Sequence, residues 1–355
     1  MKTLLVMAGG TGGHVFPGLA VADILRGRGW KVVWMGNPDS FEARTVPARG
    51  YEMAWVRFAA LRGKGLLCKL LLPFNLLSAF WQAFREIRRI KPDVALGMGG
   101  YVSFPGGMMA VLLNKPLLIH EQNSIAGLAN RVLARVAGRI VCGFPDALPK
   151  SSWVGNPVRP EIAGLPEPAE RFKDRDSTMP LRLLVLGGSL GAAAINEMAP
   201  KGLALIPEAR RPEVIHQAGE KHLATLEANY AAADVRASCV AFIQDMAGAY
   251  AWADLVLCRA GALTVAELAA AGAASILTPF PHAVDDHQTF NAKFLSTAGG
   301  AVLLPQSEMT PESVAAAISR CTRAELLRMA ESARALARPD AAAEVARVCE
   351  EICKS

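Results

Sequence analysis

The stretch MAGGTGGHVFPGLAVA, residues 7–22, places Gly9, Gly10, Gly12 and Gly13 within five positions and sets His14 directly after them. Glycine loses more chain entropy on ordering than any other residue, so such a cluster needs a physical reason. Before it, Thr3–Ala8 (TLLVMA) is a short apolar run of the kind that forms a buried parallel strand. After it, 17–28 has a helical pattern. A strand, a glycine turn and a helix in succession let a ligand approach bare peptide N–H groups at the positive end of a helix. The same order recurs in the second half, with a strand at 181–186, the turn Gly187-Gly188-Ser189-Leu190-Gly191, and a helix starting at Ala192. Further strands are expected at 31–35, 93–96, 116–120 and 255–257, alternating with helices. The class is therefore α/β, with two Rossmann-like domains facing across a cleft. Their expected limits are 1–158 and 159–336, with a C-terminal helix at about 337–355 packing back on the first domain. Prolines 145, 149, 157, 160, 166 and 168 and the polar run 171–178 (RFKDRDST) read as the linker.

The 355 residues are 52% apolar and 20% charged, a globular composition with a net charge of +6 that favours acidic partners. Seven cysteines without a CxxC pair argue against a zinc site or disulfide framework and fit a reducing compartment. The N-terminal apolar run stops at the glycines, so it reads as a first strand and not as a signal peptide. No stretch reaches the roughly 20 apolar residues of a spanning helix.

Three turns, GGTGGH (9–14), GMGGY (97–101) and GGSLG (187–191), are candidate phosphate cradles, each also readable alone as a tight turn without ligand. The dinucleotide fingerprint fails, because Val15 stands where the third glycine belongs and Gly36-Asn37 where the ribose-binding acid belongs. His14 begins a helix, whose dipole favours its neutral, proton-accepting form. HEQN (120–123) reads equally as a ligand-facing cluster or as a polar network holding the next helix. In CRAGALTVAELAAAG (258–272), Thr264 and Glu267 have capping-box spacing, while the Glu267 carboxylate also suits the two hydroxyls of a ribose. Gln288 and Asn291, in PFPHAVDDHQTFNA (279–292), suit sugar hydroxyls. Asp174-Arg175-Asp176 reads as a solvated run and Asp285-Asp286 as a helix N-terminal charge cluster, so no metal site is expected.

Residues 61–91 combine leucines and aromatics with flanking cations. Leu70, Leu71, Leu72, Phe74, Leu76, Leu77 and Trp81 form the apolar part, with Arg62, Lys64 and Lys69 on one side and Arg85, Arg88, Arg89 and Lys91 on the other. This suits contact with an anionic membrane surface, against the alternative of a core-facing helix with a basic outer face. Pro73 is expected to break the helix there.

Taken together, GGTGGHVFPGLAVA, LRGKG, GMGGYVS, HEQN, VGNPVR, CRAGALTVAE and DDHQTFNA, in that order from residue 9 to 292, resemble the MurG family of peptidoglycan glycosyltransferases. The resemblance implies the GT-B fold and transfer of N-acetylglucosamine from UDP-GlcNAc to an undecaprenyl-diphosphate muramyl-pentapeptide, in one inverting displacement. It places Arg159 and Ser189 at the donor diphosphate, Glu267 at the ribose, the Ile243 backbone at the uracil, and Ala262, Leu263 and Thr264 at the diphosphate end. Asn123 and Gln288 are implied at the GlcNAc, and Thr11, Gly12 and Gly13 also near the donor. Gly10, Gly12, Gly13, Gly99, Gly100 and Tyr101 are implied at the acceptor's diphosphate. His14 is the candidate base. Leu190 departs from the family's usual Gln, which removes an amide near the donor. No cofactor and no ligated metal are implied, with assistance by an unligated divalent ion left open. A peripheral position on the cytoplasmic face of the bacterial plasma membrane follows, with cell-wall synthesis proteins as further partners and no nucleic acid. A nucleotide-sugar epimerase and a non-catalytic membrane scaffold are the rival readings. The epimerase would leave 66–81 idle, and the scaffold would leave the reacting groups idle.

Overall fold

The computed structural model describes residues 1–58, 72–175, 179–187 and 191–354. It divides into two compact units, Met1–Val158 with Pro339–Ser355, and Arg159–Arg338. Among the described residues, the first unit holds seven parallel strands: β1 (Thr3–Ala8), β2 (Lys31–Gly36), β3 (Glu52–Trp55), β4 (Val94–Gly99), β5 (Leu117–Glu121), β6 (Arg139–Cys142) and β7 (Ser152–Trp153). Their order, β3-β2-β1-β4-β5-β6-β7, reverses between β1 and β4. In open α/β sheets the crevice outside the carboxyl ends of the strands at such a reversal is where ligands bind.

Successive strand residues point to opposite faces, so β1 feeds two cores. Leu4, Val6 and Ala8 pack with Val15, Leu19 and Leu25 of helix Gly12–Gly27 and with Val345, Ala346, Cys349 and Ile352 of helix Ala341–Ile352. Leu5 and Met7 pack with Ala79, Ala83 and Ile87 of helix Leu72–Ile90 and Ala110 of helix Ser103–Leu112.

Among its described residues, the second unit repeats the arrangement with six parallel strands: β8 (Arg182–Leu186), β9 (Glu213–Gln217), β10 (Ser238–Val240), β11 (Leu255–Cys258), β12 (Ser275–Leu277) and β13 (Ala301–Leu303). The order β10-β9-β8-β11-β12-β13 reverses between β8 and β11. Both halves are therefore doubly wound Rossmann-like units, as the two strand–glycine–helix segments predict.

Two expectations need correction. Residues 171–175 are not a solvated linker. Helix Pro168–Phe172 packs its Phe172 into the second unit's core. The Arg171 guanidinium donates to the carbonyls of Tyr250, Ala271 and Gly272, and Arg175 donates to those of Ala251 and Ala253. These carbonyls end helices Met246–Trp252 and Ala262–Ala271 and lack intrahelical partners, so the two arginines satisfy them. Arg175 also pairs with the fully buried carboxylate of Asp254. Asp176 lies outside the described residues. Nor does Pro73 interrupt the 72–77 part of the apolar run, since it lies within the described helix Leu72–Ile90; residues 70 and 71 lie outside the described residues.

Candidate functional site

At the first reversal point the turns after β1 and β4 touch. The β1–β4 ladder slips by one residue, pairing Met7 with Gly97 but Ala8 with Gly99, which brings the two turns into register. A Cβ on Gly100 would lie 2.2 Å from the carbonyl oxygen of Gly9, and Gly100 has φ +85°. Glycine is required there by both space and conformation. A Cβ on Gly9 would meet Glu42 Oε1 at 2.5 Å, and one on Gly99 would meet His14 Nδ1 at 2.9 Å. Gly13 differs: its φ is ordinary, and a Cβ would approach nothing closer than Thr11 Oγ1 at 3.6 Å. Packing thus explains Gly9, Gly99 and Gly100 but leaves Gly13 bare.

Helix Gly12–Gly27 starts inside the glycine run, earlier than the expected residue 17, and places His14 in its first turn. Thr11 is its N-cap, but its hydroxyl makes no cap bond. The Gly12 and Gly13 amides therefore sit among the first-turn donors that a helix cannot satisfy internally. The Gly10 amide is not available in this way. It donates to Glu42 Oε2 at 3.0 Å, while Asn37 N donates to Oε1 of the same buried carboxylate at 3.0 Å. This corrects the assignment of Gly10 to an anion: its N–H already has one, beneath the turn. Tyr101 is exposed beside Gly100.

HEQN divides by burial. His120, Glu121 and Gln122 are buried, and only Asn123 is half-exposed. Glu121 accepts from the backbone of Asn123 and Gly127 and from Asn130 Nδ2, so it holds the turn into helix Leu128–Leu133. The network reading applies to Glu121. Gln122 and His120 instead run toward His14: His14 Nδ1 and Gln122 Oε1 are 2.8 Å apart, and Gln122 Nε2 and His120 Nδ1 are 2.9 Å apart.

In the second unit, helix Ala262–Ala271 begins at Gly261 with no side-chain cap, leaving the Ala262, Leu263 and Thr264 amides at a bare N-terminus beside the end of β11. The capping-box reading of Thr264 and Glu267 fails, because Thr264 already lies inside the helix. Glu267 is held otherwise. Its Oε1 accepts from Arg159 Nε at 3.0 Å and Nη2 at 2.8 Å, and its Oε2 accepts from the Tyr250 hydroxyl at 3.3 Å. Burial pushes the Glu267 carboxyl above the usual range, and Arg159 and Tyr250 oppose that.

The Ile243 N–H donates to Gln217 Oε1 at 3.0 Å. Gln288 Oε1 accepts from Phe280 N at 2.9 Å, so its amide NH2 is the donor end. Asn291 does not suit a sugar: it is buried and donates to the Ala260 carbonyl at 3.2 Å. Asp286 is the N-cap of helix His287–Ser296 and accepts from the Thr289 hydroxyl at 2.7 Å, in keeping with a helix N-terminal charge cluster. Ser189 and Leu190 lie outside the described residues.

Helix Leu72–Ile90 presents Phe74, Leu77 and Trp81, spaced i, i+3, i+7, with 71%, 66% and 66% of their surface exposed. Arg85 and Arg88 continue the exposed face, and Trp81 stacks on Phe84 at 5.7 Å. Leu76 turns inward onto the core, and Leu72 is half-buried, so neither belongs fully to that face. Leu70 and Leu71 lie outside the described residues. Among the described residues, no helix is long and apolar enough to cross a membrane.

Residues 4–142 match the glycosyltransferase family 28 N-terminal domain and 182–345 the glycosyltransferase family 28 C-terminal domain. The chain is 66% identical over 353 residues, 99% of both chains, to a protein of Dechloromonas aromatica named UDP-N-acetylglucosamine--N-acetylmuramyl-(pentapeptide) pyrophosphoryl-undecaprenol N-acetylglucosamine transferase. A protein of the same name from Azoarcus sp. is 65% identical over 352 residues, 99% of this chain and 98% of that one. The crystal structure of Acinetobacter baumannii MurG superimposes with a TM-score of 0.89 at 40% identity, covering 99% of this chain and 100% of that one. The chain belongs to the MurG family of glycosyltransferases. Membership in the MurG family makes it a glycosyltransferase of GT-B fold.

What the pattern of residues did not reveal is Glu42 beneath the first turn, Tyr250 on Glu267, and the link from Gln122 to His14. Only the last had a visible signal, in the HEQN run.

Proposed function

We propose that the chain transfers GlcNAc from UDP-GlcNAc to the C4 hydroxyl of the muramyl sugar in undecaprenyl-diphospho-MurNAc-pentapeptide, with inversion at the anomeric carbon. The observation that carries this is the presence of a bare helix N-terminus at the reversal point of each sheet, on a chain sharing two-thirds of its residues with transferases named for these substrates.

In this reading the Ala262, Leu263 and Thr264 amides and Arg159 receive the donor diphosphate, together with Ser189. Glu267 accepts from the ribose hydroxyls, the Ile243 carbonyl from the uracil, and Gln288 and Asn123 bond the GlcNAc. Arg159 lies on Glu267 in an ion pair, so the two side chains that meet the diphosphate and the ribose stand side by side. The Gly12 and Gly13 amides, with Thr11, Gly99, Gly100 and Tyr101, receive the acceptor's diphosphate. The acceptor oxygen attacks C1 of GlcNAc, the C1–O bond to UDP breaks with its electron pair, and His14 takes the hydroxyl proton. The negative charge left on UDP is met by Arg159 and the helix N-terminus.

Phe74, Leu77 and Trp81 dip into the interface, with Arg85 and Arg88 at anionic headgroups, and hold the enzyme peripherally on the cytoplasmic face of the membrane. Other cell-wall synthesis proteins are the partners expected there.

The test is transfer of labelled GlcNAc from UDP-GlcNAc to a short-chain analogue of the lipid acceptor, with the anomeric configuration of the product determined. UDP release should require the acceptor. An isomerised sugar formed from UDP-GlcNAc alone would instead establish an epimerase.

A further inference from the structure

Four groups of the first unit stand in one hydrogen-bonded line: the Gly155 carbonyl, His120, Gln122 and His14. His120 Nε2 lies 3.0 Å from the Gly155 oxygen, and Gln122 Nε2 lies 3.1 Å from the backbone carbonyl of His120 as well as 2.9 Å from its Nδ1. A carbonyl oxygen only accepts, and the line contains two of them. The Gly155 oxygen therefore requires the proton of neutral His120 on Nε2, which leaves Nδ1 as an acceptor. The His120 carbonyl requires the NH2 end of Gln122, which fixes the amide orientation and sends both its hydrogens to His120. Gln122 Oε1 is then turned to His14, 2.8 Å from Nδ1, and can only accept there. His120 is fully buried, which lowers its pKa to about 4 and keeps it in the neutral form that the line needs. The other carboxylates on these elements are engaged elsewhere, Glu42 by Gly10 and Asn37, and Glu121 by Asn123, Gly127 and Asn130.

We propose that Gln122 and His120, anchored on the Gly155 carbonyl, are positioning residues that hold His14 as its Nδ1–H tautomer, so that the Nε2 lone pair is the one offered to the acceptor hydroxyl. This rests on the reading of His14 as the base. It gives the Gly-Asn of VGNPVR a purpose, since Asn156 Nδ2 also donates to the Gln122 carbonyl at 2.9 Å and ties the two segments together. A histidine base whose second nitrogen is held by a third group is the usual way a proton acceptor is kept in one tautomer. Here an amide fills that place instead of a carboxylate, so orientation is obtained without a charge.

Two-bond 1H–15N spectra of the full chain, labelled with 15N-histidine and recorded at alkaline pH, read the tautomer directly, with His14 assigned by its loss in His14→Gln. The expected pattern is a protonated Nδ1 and an unprotonated Nε2. A His14 carrying its proton on Nε2 overturns the proposal. In Gln122→Leu the His14 signal should move toward the Nε2–H form, and kcat should fall roughly 10–100-fold, the usual cost of losing an orienting partner, with the KM for UDP-GlcNAc within about twofold of wild type. Gln122→Leu with both tautomer and kcat unchanged overturns it as well. Gln122→Glu keeps an acceptor facing His14, so it should retain the tautomer and move the acidic limb of the kcat/KM profile upward in pH. A profile identical to wild type counts against the proposal. Should Gln122→Leu fail to fold, the wild-type spectrum and Gln122→Glu decide. His14→Ala retaining more than a tenth of wild-type kcat would end the base reading while leaving the tautomer assignment standing.

Discussion

Alanine placed at Gly13 and at Gly100 should separate what the first turns need for folding from what they need for a ligand. At Gly100 the new methyl would sit 2.2 Å from the Gly9 carbonyl oxygen, a backbone atom that cannot swing away, and the residue would keep φ near +85°. Left-handed strain in a non-glycine residue costs about 1–3 kcal/mol, and an overpacked methyl adds about 1–3 kcal/mol. A loss of roughly 2–6 kcal/mol lowers the melting temperature of a unit of this size by roughly 5–20 °C. At Gly13 the methyl meets only Thr11 Oγ1, at 3.6 Å, in ordinary contact. Removing a helical glycine should stabilise by up to about 0.5–1 kcal/mol, raising the transition by about 1–4 °C. If the acceptor's diphosphate closes onto the Gly13 amide, the same methyl displaces it by about 1 Å and costs roughly 10²-fold in kcat/KM for the acceptor. Thermal unfolding followed by circular dichroism, paired with acceptor-dependent UDP release, reads both quantities. Gly13→Ala with wild-type transfer would refute ligand approach at that amide, and Gly100→Ala with a wild-type melting temperature would refute the steric account of the turn.

Replacing His14 by Ala should lower kcat by roughly 10²–10⁴-fold if it takes the proton, measured by steady-state transfer with saturating donor. Arg175→Met strips one partner from the buried Asp254 carboxylate, which keeps Arg323 at 3.5 Å, and should destabilise the second unit by about 1–3 kcal/mol in urea unfolding. Burial lowers the pKa of His216 to about 3 and that of His120 to about 4. The unfolded chain therefore binds protons first. Stability present above pH ~6.5 falls as the medium is acidified toward those values, by about 2 kcal/mol per histidine between pH ~6.5 and ~5. Urea titrations across that range check the slope, which His216→Gln should reduce. A triple change of Phe74, Leu77 and Trp81 to Ser should cut sedimentation with anionic vesicles by more than about tenfold, since each apolar side chain buried at the interface contributes about 1.5–3 kcal/mol.

The fold was legible because its signals are local. A run such as Thr3–Ala8 followed by glycines states strand, turn and helix within twenty residues, and the second half repeats the statement. That His14 and the 262–264 amides stand in the first turn of a helix after a strand was legible for the same reason. What stayed hidden depends on partners distant in sequence. Arg171 and Arg175 look like a hydrophilic linker until the helix ends near residues 251 and 272 fold against them. Asn291 looks like a sugar ligand until its amide is seen on Ala260. Glu42 carries no local mark at all, although it fills the space under Gly9.

The chain leaves its first unit after Val158 and re-enters it at Pro339, and the returning helix Ala341–Ile352 supplies Val345, Ala346, Cys349 and Ile352 to a core begun by Leu4 and Val6. During translation the half that emerges first from the ribosome must therefore wait for the last residues before its apolar interior can close. At ~5–20 residues per second that interval is roughly 10–40 s, whereas the second unit is one continuous stretch, Arg159–Arg338. A released chain that ends just short of Pro339 should thus carry a protease-resistant late half behind a digestible early one, the reverse of the order in which they were made.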